Sequence, residues 1–186
     1  MTALFGGAFD PPHNGHVALA RAALERFPLE SIFVLVTARP GHRAVEAAPD
    51  VRLRLAEAAF AGLPRTAVEL DDHRYTIDLL RSGRWPEPLF LIGADQFAGF
   101  LTWKEPDAIL ELARLGVATR PGFPPDRLEA VLRRLARPER VELFEIPPVE
   151  ASASEIRRRL AVGEPIDDLM PPGVAGLVTD LDLYRR

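Results

Sequence analysis

Short runs of unbroken apolar, often β-branched residues recur along this chain, and stretches with helical periodicity separate them. Ser31 to Thr37 (SIFVLVT), Pro88 to Ile92 (PLFLI), Leu115 to Thr119 (LGVAT) and Val141 to Ile146 are such runs. Thr2 to Gly6 and Thr66 to Leu70 complete a set of six. A strand apolar at every position, rather than at alternate ones, is covered on both faces, which is the condition of a parallel sheet. Between them, Val51 to Phe60 behind a predicted Asp50 N-cap, Pro106 to Ala113 and Asp126 to Ala136 read as helices. The pattern predicts an α/β chain: a single-domain, doubly wound, Rossmann-like parallel sheet over 1–186, with helices on both faces. In such a sheet ligands bind at the carboxyl ends of the strands, so residues distant in sequence are expected on one rim.

The first strand end is the most informative. Leu4 to His16 reads LFGGAFDPPHNGH. It leaves a strand through Gly6 and Gly7, turns at Pro11 and Pro12, and enters a helix carrying Val17, Leu19, Ala20, Ala23, Leu24 and Phe27 at helical spacing. A strand-to-helix junction gathers free backbone N–H groups at the positive end of a helix dipole, where phosphate binds. Glycines 6 and 7 let the backbone approach a bulky anion, and His13 and His16, at i and i+3, can address the same oxygens. Further on, SASEIRRR (152–159) joins a serine cap, Ser152 or Ser154, to Arg157, expected in the first helical turn with its guanidinium able to fork onto phosphate.

GGAFDPPHNGH resembles the signature of the HxGH nucleotidyltransferases, and its double Gly and FDP triplet are most similar to the nicotinate mononucleotide adenylyltransferase branch. The resemblance spans essentially the whole chain. Ile92-Gly93-Ala94-Asp95 resembles the family's I-G-x-D, and Arg120 in TRPG its R-P-G. Ser152 to Arg157 resembles its I-S-S-T-x-I-R phosphate grip, with Ala153 replacing one hydroxyl and Ser154 replacing Thr. Tyr75-Thr76-Ile77-Asp78 resembles its Y-T-I-D-T-L element, Trp103 the Trp of its L-P-x-W segment, and Arg52 an Arg opening the next helix. Val174 to Tyr184 resembles its closing segment.

The resemblance implies adenylyl transfer from ATP to nicotinate mononucleotide, giving deamido-NAD and pyrophosphate. His13, His16 and Arg157 would be catalytic. Gly6, Gly7, Ala8, Phe9, His16, Gly93, Asp95, Arg120, Ser154 and Arg157 would bind ATP. Asp10, Arg43, Tyr75, Thr76 and Trp103 would bind the mononucleotide, with Trp103 stacking on the pyridine. Mg2+ would arrive with ATP and lean on its phosphates, with no dedicated protein metal site. The motifs do not separate acid from amide at the pyridine. A sister transferase acting on nicotinamide mononucleotide or another small phosphate ester, or an inactive nucleotide-binding regulator, stays open.

Composition narrows the partners. A net charge of −4 over 186 residues disfavours broad nucleic-acid binding, which needs a basic surface. No apolar run is long enough for a bilayer, and nothing N-terminal reads as a signal peptide, so a cytoplasmic protein is expected. Cysteine is absent, which excludes thiol catalysis. Whether the chain works alone or as a homo-oligomer is not written in it.

Overall fold

A computed structural model describes residues 1–41 and 45–185. Its six strands are β1 (Thr2–Gly7), β2 (Ser31–Thr37), β3 (Thr66–Asp71), β4 (Leu89–Gly93), β5 (Arg114–Thr119) and β6 (Val141–Glu145). All neighbours pair in parallel, in the order β3-β2-β1-β4-β5-β6. The chain winds outward from β1 through β2 to β3, then crosses back to β4 and winds the other way. The order therefore reverses beside β1, and a crevice opens there.

Eight helices cover the sheet: α1 (Asn14–Arg26), α2 (Pro49–Phe60), α3 (Thr76–Arg81), α4 (Ala94–Ala98), α5 (Pro106–Leu112), α6 (Pro125–Leu132), α7 (Ala153–Ala161) and α8 (Pro172–Asp180). The two-residue period of a strand explains the division of the core. From β1, Ala3 and Phe5 join Leu19 of α1, Leu55 and Phe60 of α2, Ile156 of α7 and Val174 of α8. Leu4, between them, joins Ile77 of α3, Phe97 of α4, Ile109 of α5 and Leu128 of α6. Each such side chain, fully buried, contributes about 1.5–3 kcal/mol. The doubly wound sheet expected from the apolar runs is thus observed, with helices on both faces.

Local details differ. Asp50 is not the N-cap of α2. Ala48 holds that position and Pro49 opens the helix, because proline's fixed φ suits the first helical residue. Helices α3 and α4, of six and five residues, have too little length to show a helical period. The helix expected over 126–136 ends its regular turns at Leu132.

Candidate active site

β1 delivers the signature loop to the crevice. Phe9 adopts a left-handed φ of 49°, and its ring folds back over Gly7, where a Cβ would lie 3.0 Å from it. His13 is the N-cap of α1 and His16 its third residue. Their rings lie 3.7 Å apart at 31°. The backbone N–H of His13 donates to Nδ1 of His16 at 3.1 Å, which places the proton of a neutral His16 on Nε2. A Cβ on Gly15 would stand 3.0 Å from His13 Nδ1, so the small residue between the histidines leaves room for the ring. Burial lowers the His13 pKa to about 4. Its imidazole is therefore neutral at pH 7, and its buried Nδ1 has no hydrogen-bond partner among the described residues. The expectation that both imidazoles share one face is met.

α7 closes the same side. Ser152 is its cap, with Oγ accepting from the backbone N–H of Glu155 at 3.2 Å, while Ser154 sits exposed at the second helical position. That choice of cap puts Arg157 fifth in the helix, just past the first turn, not within it. Its guanidinium donates to the carbonyl of Asp10 at 2.6 Å, and its Nε lies 3.2 Å from a carboxylate oxygen of Glu46. His16 and Arg157, 141 positions apart by number, face one cleft.

Asp10, expected to bind the mononucleotide, lines the cleft, but its carboxylate is engaged inside the protein. Only 4% of the residue is exposed. Its carboxylate accepts from the N–H groups of Glu46 (2.6 Å) and Ala47 (3.1 Å) and from the hydroxyl of Tyr184 (2.7 Å). Three protein donors occupy it, leaving its backbone carbonyl to hold Arg157. Arg52, matched to the family by position alone, is fully buried. Its guanidinium donates to the carbonyls of Ala8 (2.7 Å), Thr37 (2.9 Å), Ala38 (3.0 Å) and Ala47 (3.1 Å). It stitches the ends of β1 and β2 to the loop before α2. Phe9 also lines the cleft, its ring packed edge-on against Phe5, Phe60 and His16.

Opposite these groups, β4 ends in Gly93, the N-cap of α4, and Asp95 pairs with Arg120 from the end of β5 at 3.6 Å. Both side chains are largely exposed. From the β3 side come Tyr75, the N-cap of α3, and Thr76, its first residue. Trp103 is half-buried, 5.3 Å from the Phe100 ring, and so serves the core and the cleft wall together. Arg43 lies outside the described residues. Sequence reasoning passed over Asp71, His73 and Arg74. His73 Nδ1 lies 2.7 Å from Asp71 Oδ1, and both residues line the cleft. Their only advance signal was charge clustering at a strand end. His13, His16, Ser154, Arg157, Gly93, Asp95, Arg120, Tyr75, Thr76 and Trp103, with Gly6, Gly7 and Ala8, surround a cleft of about 680 Å³, within the range of small-molecule sites.

His13, His16, Ser154 and Arg157 bring imidazole, hydroxyl and guanidinium groups to the cleft beside the N-terminus of α7. Among the described residues no three of His, Asp and Glu gather as a cation cage, and no helix is long and apolar enough to cross a membrane. Residues 4–159 match the cytidylyltransferase-like family. A protein of Bordetella avium named "Probable nicotinate-nucleotide adenylyltransferase" is 38% identical over 98% of this chain and 96% of its own. One from Thermus thermophilus with the same name is 37% identical over 98% of both. The structure of Plasmodium falciparum nicotinic acid mononucleotide adenylyltransferase complexed with NaAD superposes with a TM-score of 0.77 at 20% identity, covering 98% of this chain and 96% of that one, and shares its fold. On those identities over nearly its full length, the chain belongs to the nicotinate-nucleotide adenylyltransferase family of cytidylyltransferase-like proteins.

Proposed function

We propose that the chain transfers the adenylyl group of ATP to nicotinate mononucleotide, releasing pyrophosphate and deamido-NAD. The observation that carries this reading is the meeting of His13, His16, Ser154 and Arg157 with Tyr75, Thr76 and Trp103 around one cleft. The first group suits a triphosphate and the second a flat, phosphorylated ring.

In this reaction an oxygen of the acceptor phosphate attacks the α-phosphorus of ATP. The bond from that phosphorus to the bridging oxygen breaks, and pyrophosphate carries the electron pair away. No covalent enzyme intermediate is needed, so the protein's task is alignment and charge stabilisation. We assign His16 Nε2–H to an oxygen of the α-phosphate. His13 adds a second imidazole beside it, which the anion would help to protonate. Arg157, held at the Asp10 carbonyl, and the N-terminus of α7 with Ser154 receive the departing phosphates. Gly93, Asp95 and Arg120 border the space left for adenosine, while Tyr75 and Trp103 frame the pyridine.

ATP enters as its magnesium complex, in which the ion offsets phosphate charge. The donor-rich wall supports a cation carried by the substrate rather than by a protein cage. The net charge of −4 argues against broad nucleic-acid binding. The test is pyrophosphate release with MgATP and either nicotinate or nicotinamide mononucleotide, alongside His16→Ala. We expect faster turnover with nicotinate mononucleotide and a sharp loss of kcat in the variant. No release with either acceptor, or an unimpaired His16→Ala, refutes the assignment.

A further inference from the structure

We propose that Arg74 selects the acceptor, favouring a pyridine mononucleotide that bears a ring carboxylate over one that bears an amide. The inference rests on the function proposed above and adds a residue that the signature motifs do not contain.

From Asp71, the last residue of β3, the chain runs Asp72-His73-Arg74-Tyr75 to Thr76, the first of α3, and all of these except Asp72 line the cleft. The guanidinium carbon of Arg74 lies 5.4 Å from the centroid of the Tyr75 ring. Its Nε would stand 3.0 Å from a Cβ placed on Gly41, so its stem lies across that glycine and spans the gap between the loops after β2 and β3. Arg74 thus brings a planar positive group to the aromatic end of the cleft, where Tyr75 and Trp103 stand.

Three nearby carboxylates, those of Asp71, Asp78 and Glu69, are engaged elsewhere. Asp71 holds His73 through Nδ1 at 2.7 Å and the backbone N–H at 3.0 Å. Lys104, which also lies over Tyr75 at 4.8 Å, is bound to Asp78 at 2.9 and 3.3 Å. Glu69 is held by both terminal nitrogens of Arg84 at 2.7 and 2.9 Å. Asp72 borders an adjoining recess with Arg74 and forms no ion pair with it. Among the described residues, then, Arg74 has no carboxylate partner, whereas the other cation over Tyr75 is neutralised.

A guanidinium offers two parallel N–H groups, and a carboxylate accepts both. An amide accepts one and turns its own N–H₂ toward the second, so donor faces donor. Selection of this kind works by rejecting the wrong group as well as by holding the right one.

The test measures kcat/KM for nicotinate and nicotinamide mononucleotides at saturating MgATP in wild type, Arg74→Gln and Arg74→Lys. Arg74→Gln should lower the value for nicotinate mononucleotide about 10- to 100-fold, mostly through KM, as expected for loss of a charge-assisted contact. The value for nicotinamide mononucleotide should change less than about threefold, with KM for ATP unmoved, and Arg74→Lys should restore part of the preference. A parallel fall for both acceptors would give Arg74 a merely structural role and overturn the inference, as would an unchanged ratio. A wild type that uses neither acceptor refutes the proposed function itself, and one preferring the amide refutes the selection by Arg74 while leaving adenylyl transfer standing.

Discussion

Replacing Arg52 with methionine keeps a long apolar stem in place and removes only the guanidinium. Four carbonyl oxygens, those of Ala8, Thr37, Ala38 and Ala47, then lose donors that stood at 2.7–3.1 Å. Hydrogen bonds to a charged group contribute about 1.5–3 kcal/mol each, which for four independent bonds would exceed 6 kcal/mol. They are not independent, since one side chain makes them all, and removing the buried charge also recovers its desolvation cost. Burial alone pushes the Arg52 pKa down, with the nearby Asp10 carboxylate opposing, so that cost is appreciable although the group stays charged. The net loss should be about 3–5 kcal/mol, the range for breaking one side of a buried polar assembly. At roughly 2–4 °C per kcal/mol for a chain of this size, Tm should fall by roughly 6–20 °C. Arg52→Lys, whose ammonium cannot span four carbonyls set around a fork, should lose less than methionine but more than 1 kcal/mol. Urea and thermal unfolding of the three proteins measure both differences. A methionine variant within about 1 kcal/mol of wild type would show that water or loop movement satisfies the carbonyls, and the stitching role would fail.

Two further outcomes follow from buried groups. His13 has a folded pKa of about 4 against 6.5 unfolded, so the unfolded chain binds its proton first as pH falls. Stability from this residue is full above pH 6.5 and declines between about 6.5 and 4 by up to about 3 kcal/mol; a His13→Asn variant should lack that decline in unfolding measured across the window, and an identical pH dependence in both proteins would refute the burial argument. Tyr184→Phe removes one of three donors to the buried Asp10 carboxylate and should cost about 1–3 kcal/mol, read by thermal unfolding, with a change below 0.5 kcal/mol counting against the contact.

The sheet was legible because its signal is redundant: each buried strand announces itself by an unbroken apolar run, and six in alternation with helices leave few other arrangements. The convergence of His13, His16 and Arg157 on one cleft was legible for a different reason: they belong to local motifs that the topology then brings together. The burial of Asp10 was not legible in its Gly- and Pro-rich turn. What buries it lies at Glu46, Ala47 and Tyr184, separations of 36 to 174 residues that no local pattern encodes. Arg52 was opaque on the same grounds, since an arginine in an amphipathic helix ordinarily snorkels to water. Arg74 escaped notice because its significance is the absence of an ion-pair partner, which only the disposition of Asp71, Asp72 and Asp78 reveals.

Asp10 and Arg52 belong to one assembly. Tyr184, next to the end of the described chain, holds the Asp10 side chain, and the Asp10 carbonyl holds Arg157, the residue assigned to the leaving phosphates. Glu46 joins from the loop before α2, donating its N–H to Asp10 and pairing its carboxylate with Arg157. Arg52 fixes the neighbouring Ala47 and ties it to Ala8, one residue from Phe9, whose ring stands against His16. A positively charged group poised for phosphate needs its position set before the ligand arrives, because orientation supplied in advance lowers the entropy lost in reaching the transition state. Here backbone carbonyls and one carboxylate supply it, from segments that the linear chain separates widely. The position of Arg157 beside the imidazoles therefore depends on Tyr184 as much as on the HxGH loop.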